Sequence, residues 1–130
     1  MSMIVLFCAC TASRQPETPI TGVELDVDRD EVAAGDSVTI ELDNDSPGPV
    51  GFNLCSSEME RRDAGEWRQV PSDRVCTREL RILAAGEEAH YRLQIPPGLA
   101  PGEYRFHTPV ELQDTRVSGS VRSEAFRVRT

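Results

Sequence analysis

From Gly22 onward, apolar residues recur at every second position, and clusters of turn-forming residues interrupt that alternation at short intervals. A two-residue period places all the apolar side chains of a segment on one face of an extended strand, so such a chain buries them between sheets and not between helices. Val23, Leu25 and Val27 alternate with Glu24 and Asp26, and Val38, Ile40 and Leu42 alternate with Thr39 and Glu41. Ala33-Ala34-Gly35-Asp36 turns the chain between them, and Asn44-Asp45-Ser46-Pro47-Gly48 breaks it afterwards. Val50, Phe52 and Leu54 mark a third strand leading into Cys55. Ala64-Gly65 fits the turn of a hairpin between Met59-Glu60-Arg61-Arg62 and Trp67-Arg68-Gln69-Val70, although Ser57 followed by Glu60 has the spacing of a helix cap.

Leu80 and Ile82 mark the next strand, Ala84-Ala85-Gly86-Glu87 a turn, and Ala89, Tyr91, Leu93 and Ile95 a long alternating strand. Pro96-Pro97-Gly98 and Pro101-Gly102 then break the chain before Tyr104, Phe106, Thr108 and Val110. Residues 113–120 read as a loose connection to a last strand at Phe126 and Val128. No segment sustains a helical period over three turns. About seven or eight short antiparallel strands separated by turn signals are the signature of an all-β sandwich.

Composition narrows the function. With 130 residues the chain has room for one domain and a short appendage. Its net charge of −8 opposes phosphate-backbone binding, which needs clustered cations to displace counterions, so no nucleic-acid partner is expected. All 14 basic residues are arginine. Twelve of the 22 acidic residues precede Arg61 and twelve of the 14 arginines lie from Arg61 on, a segregation that a sandwich interleaves into mutual charge pairing.

The start of the chain points to a location. Met3 to Ala9 is a continuous apolar run, and its end at Ala9-Cys10 resembles a bacterial lipoprotein processing site, in which the cysteine becomes the lipidated first residue of the mature chain. Phe7 and Cys8 depart from the usual residues there, and the basic leader is missing; a start codon placed too late accounts for a clipped signal. Residues 1–10 then form a truncated signal segment, residues 11–21 a polar, proline-stiffened tether, and residues 22–130 the folded domain. The alternative is that residues 1–10 are a first strand carrying a cysteine pair. With Cys8 removed and Cys10 lipidated, Cys55 and Cys76 remain as a natural pair, and a bridge between them requires an oxidising compartment. Two free buried thiols, or a framework that also uses Cys8 and Cys10, are the other readings, since four cysteines allow three pairings.

The order of these signals resembles the bacterial immunoglobulin-like domains of envelope lipoproteins over roughly Gly22 to Thr130. The residues that carry the likeness are Asp43-Asn44-Asp45-Ser46, Glu66-Trp67-Arg68-Gln69-Val70-Pro71, the turn from Leu83 to Gly86, and Leu99-Ala100-Pro101-Gly102-Glu103-Tyr104-Arg105-Phe106. Pro-Gly-x-Tyr before a strand resembles the tyrosine corner of such sandwiches, in which the phenol hydroxyl bonds nearby backbone. The 21-residue offset of Cys55 and Cys76 is too short for the usual bridge between opposing sheets. It fits a staple from the central hairpin region to the following strand.

No set of residues converges on catalysis. His90 and His107 are the two histidines, and neither stands close to a cysteine as a blue-copper site would require, so no metal or other cofactor is expected. Asp43, Asn44 and Asp45 have calcium-ligand chemistry, yet in a turn such residues more often bond local backbone. Trp67 is either a core or hairpin-packing residue or, flanked by Arg61, Arg62 and Arg68, the centre of a recognition patch of the composition found at interface hot spots. The expected function is a non-catalytic envelope module, anchored to the membrane by lipid at Cys10 on the periplasmic side or at the cell surface. Such a module presents a disulfide-stapled sandwich to another envelope protein or polymer. The alternative is a small protease inhibitor whose loop Val70-Pro71-Ser72-Asp73-Arg74 lies substrate-like in a protease cleft, and whose sandwich resembles the intracellular proteinase inhibitor family.

Overall fold

A computed structural model describes residues 20–130. The signal-like segment, most of the tether, and the readings of Cys8 and Cys10 lie outside the described residues. The described residues form eleven strands and one 3-10 turn: β1 (Val23–Val27), β2 (Glu31–Ala33), β3 (Ser37–Asn44), β4 (Val50–Phe52), the 3-10 turn Leu54–Ser56, β5 (Glu58–Asp63), β6 (Glu66–Gln69), β7 (Arg81–Leu83), β8 (Glu88–Gln94), β9 (Gly102–Leu112), β10 (Val117–Arg122) and β11 (Phe126–Arg129). They build the two-layer all-β sandwich that the alternation demands.

One layer is a three-stranded antiparallel sheet in the order β1-β3-β8. The other follows β2-β11-β9-β4-β7, with β10 and the β5–β6 hairpin also attached through β9. Strand β9 is the spine of this sheet: β11 and β10 pair along one stretch each, and so do β5 and β4. Its inward residues Tyr104, Phe106, Thr108 and Val110 are all buried, matching the period read from the sequence. Across the sandwich they face Leu25, Val38, Ile40, Leu42 and Leu93 of the smaller sheet, so both layers share a single core. Phe126 of β11 stacks on Phe106, with ring centroids 5.2 Å apart, and on Tyr104 at 6.3 Å.

The β5–β6 hairpin forms where expected, and the competing helix cap at Ser57 does not. Ala64 and Gly65 both have positive φ, 50° and 81°, as a two-residue turn matched to the twist of a hairpin requires. Strands β2 and β10 leave little trace in the sequence. β2 has one inward apolar residue, Val32, and is held by parallel pairing to β11, while β10 spends its middle on Ser118, Gly119 and Ser120. The segment read as a loose connection is therefore the turn of the β9–β10 hairpin and most of β10.

Strand β7 also differs from its reading. Leu80 and Ile82, which mark it in sequence, are 56% and 55% exposed, and the inward residue is Leu83, which the resemblance assigned to a turn. Gly51 opposite Ile82 explains the choice: it has no side chain, and Leu80 lies across it, so close that a Cβ there would come within 3.0 Å of Leu80 Cδ1.

Candidate functional site

Three surface regions gather the residues singled out above. The first is the irregular segment between β6 and β7. Cys76 in it bonds Cys55 in the 3-10 turn, with Cα atoms 5.8 Å apart. The bridge does link residues 21 apart, but it joins the 3-10 turn to irregular chain, not a hairpin to a strand, because β7 starts five residues beyond Cys76. Two further ties hold the segment. Arg74 Nη1 donates to the carbonyls of Cys55 and Ser57 at 3.1 and 3.0 Å, and Asn53 Nδ2 donates to the Thr77 carbonyl at 2.7 Å. Asn53 also accepts from the Cys55 amide, capping the 3-10 turn from which all three ties radiate. Pro71, Ser72 and Asp73 are exposed, but the head of Arg74 is turned onto backbone carbonyls and so is withdrawn from the surface it would offer a protease. Beside the bridge lies a cleft of about 360 Å³ between the sheet edges, lined among others by Phe52, Leu54, Cys76, Arg81 and Tyr91.

The second region is the outer face of the large sheet. In the β5–β6 register Arg62 stands opposite Trp67 and Arg61 opposite Arg68, so alternation puts the first pair on one face of the hairpin and the second pair on the other. The structure therefore divides the expected patch. Trp67 is half-buried, covered by the Arg105 guanidinium 4.2 Å from its ring centroid, with that of Arg62 at 5.9 Å. Arg105 donates from Nε to Glu60 at 3.0 Å, and Arg122 reaches the same Glu60 oxygen at 3.4 Å. Arg62 also pairs with Glu103, and His107 Nε2 lies 3.2 Å from Glu58. Trp67 is not part of the core but packs the hairpin onto the sheet through cation–π contact, and its remaining edge sits in a row of arginines and glutamates. Arg105, which the sequence reading missed, is its closest cation. Register supplies the signal, since β9 residue 105 faces Glu60 across the β5–β9 pair. On the far side of the hairpin Arg61 lies over the Tyr104 ring and donates to the Pro101 carbonyl, while Arg68 pairs with Asp63 and Glu66. Arg105 and Arg122 with Glu60, and Arg129 with Glu31, join late arginines to early acids as the charge segregation suggests.

The third region is the outer face of the small sheet. Asp26, Glu41 and His90 form one cross-strand row, and Glu24, Asp43 and Glu88 the next. Carboxylates directly opposite one another repel, and the protons respond. A hydrogen bond shared with Glu88 raises the Glu41 pKa and lowers that of Glu88, and His90 adds to the lowering. Partial burial, then the Asp26 carboxyl beside it, raises Asp43. The ligand atoms of Glu41, Glu88 and His90, and those of Asp26, Glu41 and Asp43, each lie within 4.8 Å of one another, so these are the described residues able to share a cation. The calcium reading of Asp43-Asn44-Asp45 fails on geometry. Asn44 is wholly buried, donating to the Gly48 and Leu83 carbonyls and accepting from Ser46, so its side chain is turned away from the Asp43 face. His90 and His107 stand on the outer faces of opposite sheets and cannot meet at one metal.

The bacterial Ig-like domain family matches residues 19–121. A structural-genomics target, SoR45, superposes with a TM-score of 0.61 at 12% identity, over 87% of this chain and 90% of that one. The ApaA protein from Bordetella pertussis superposes with a TM-score of 0.53 at 16% identity, over 83% of this chain and 89% of its own. At such identities these two likenesses concern the fold alone. No curated protein matches the sequence.

Proposed function

The chain belongs to the bacterial Ig-like domain family, and from that premise we propose that it is a non-catalytic interaction module of the bacterial envelope, lipid-anchored at Cys10 and offering its sandwich to an envelope protein or polymer. The observation that carries the reading is the Cys55–Cys76 bond. A bond of this kind lasts in a compartment that does not reduce it, which agrees with a lipoprotein-like start at Ala9-Cys10. Among the described residues no helix is long and apolar enough to cross a membrane, so on this reading attachment falls to the lipid. The Trp67 row supports the binding role, because a half-buried tryptophan framed by Arg62 and Arg105 has the composition of an interface centre.

The test is metabolic labelling, with a tagged fatty acid, of cells that express the gene from its native locus. Label on the product, lost in Cys10→Ala, is the expected result; an unlabelled product removes the anchor. A second reading keeps the loop Val70-Pro71-Ser72-Asp73-Arg74 as a substrate-like inhibitor element. It is favoured by the three ties that order the loop before any partner arrives, which lowers the cost of binding. A panel of proteases decides it, since cleavage of the loop by each enzyme without inhibition leaves nothing of that role.

A further inference from the structure

Among the described residues, the large apolar side chains that stand exposed are Val75, Leu80 and Ile82, all within one eight-residue stretch. Single exposed apolar residues are ordinary, but Leu80 and Ile82 lie together over Gly51 at one sheet margin, while Val75 lines the cleft on the other side, and an exposed apolar pair at a sheet margin calls for a partner. That margin is open. β7 ends the large sheet, paired to β4 on one side only, and the chain leading into it is drawn alongside the end of β4 by the Asn53–Thr77 bond. Such an edge presents unpaired backbone groups able to take another strand.

The side chains along this edge say which strand. Ile82 faces outward opposite Gly51, and Leu80 covers Gly51 on the same outer side. Glu79 and Arg81 line the cleft on the other side. They flank Leu80 with opposite charges, and among the described residues neither makes an ion pair or hydrogen bond with a side chain. An antiparallel copy of the same edge, placed with Leu80 opposite Leu80, brings each Glu79 opposite an Arg81. Both charge pairs then fall on the cleft side and the leucines meet on the outer side, a self-complementary pattern of the kind a two-fold contact requires.

We infer that the edge formed by β7 and the residues leading into it docks a second copy of this chain, making a two-fold dimer that continues the large sheet, with Leu80 at its centre and Glu79–Arg81 pairs on either side. A dimer through the edge leaves the Trp67 row and the small-sheet face free, so the inference stands apart from the proposed envelope role and fails separately from it.

The experiment is sedimentation velocity on the disulfide-intact domain over a concentration series from 1 µM to about 1 mM, with thermal melts to confirm folding. The wild type is expected to pass from monomer to dimer within the series. Glu79→Arg and Arg81→Glu, at exposed positions, are each expected to weaken dimerisation at least tenfold, and the double variant Glu79→Arg/Arg81→Glu to restore it, because the swap recreates both pairs. Leu80→Asp is expected to leave a folded monomer. A wild type that stays monomeric throughout overturns the inference, as does a dimer that the single charge reversals leave intact or that the double swap does not rescue.

Discussion

The Tyr104 hydroxyl donates to the Ala100 carbonyl at 2.6 Å, closing the Ala100-Pro101-Gly102-Glu103-Tyr104 corner where the chain enters β9. The same ring is buried, stacked on Phe126 and capped by the Arg61 guanidinium, and burial raises the phenol pKa. Tyr104→Phe keeps the stacking and leaves the Ala100 carbonyl without this donor. It is expected to cost about 1–2 kcal/mol in a urea titration, with an unchanged denaturant slope.

Asn44 links the two sheets at the opposite end. Its side chain donates to Leu83 of β7 and to Gly48, its carbonyl oxygen accepts from Ser46, and its backbone bonds Gly86 and Glu87 in the β7–β8 turn. Replacing it by alanine strands a buried carbonyl and a buried amide. Asn44→Ala is expected to lose about 2–4 kcal/mol in the same assay, more than Tyr104→Phe, because more than one partner is left unpaired.

The acidic face makes stability depend on pH in a stated direction. Asp43 has a folded pKa above its ordinary 3.8, so between those two values the folded chain holds more protons than the unfolded one. Its contribution to stability therefore falls as pH rises through that window, and it is lowest with the carboxylate fully charged. Asp43→Asn is expected to melt higher than wild type at neutral pH, with the difference closing as pH is lowered past 3.8. A melting difference that persists unchanged in acid contradicts this account of the face.

The bridge and its companions can be separated. The loop it closes spans a sequence separation of 21 residues, for which the chain-entropy model gives about 3 kcal/mol. Cys55→Ser/Cys76→Ser is expected to lose that much stability and still fold, since the core includes neither cysteine. Arg74→Ala in the same background is expected to increase proteolytic nicking in the loop, by removing the tie to Cys55 and Ser57.

The sequence carries the sandwich most clearly where strands alternate strongly. In β3 and β9 every inward position is filled by an apolar residue or a small buried polar one, so period alone places Val38, Ile40, Leu42, Tyr104 and Phe106 correctly. It fails where a neighbour sets the orientation. Leu80 and Ile82 have the spacing of inward residues, but Gly51 on β4 leaves an outer hollow for Leu80, and Leu83 takes the core position. Strand β10 is invisible because its pairing with β9 relies on backbone bonds through Ser118, Gly119 and Ser120. The pairing of Cys55 with Cys76 is legible from the cysteine count and the lipoprotein-like start, whereas the Arg74 and Asn53 ties are not, since each bonds backbone carbonyls that no motif announces. The Trp67 cluster divides for a similar reason: neighbours in sequence alternate across the hairpin, and the cation that covers the ring comes from β9.

The account rests on a domain that works where thiols oxidise, and intact mass measurement of the native protein tests this most directly, with alkylation before and after reduction. The account predicts a chain beginning at an acylated Cys10, with Cys55 and Cys76 alkylated only once reductant is added. A chain that retains Met1 and takes alkyl groups on both residues without reductant contradicts it.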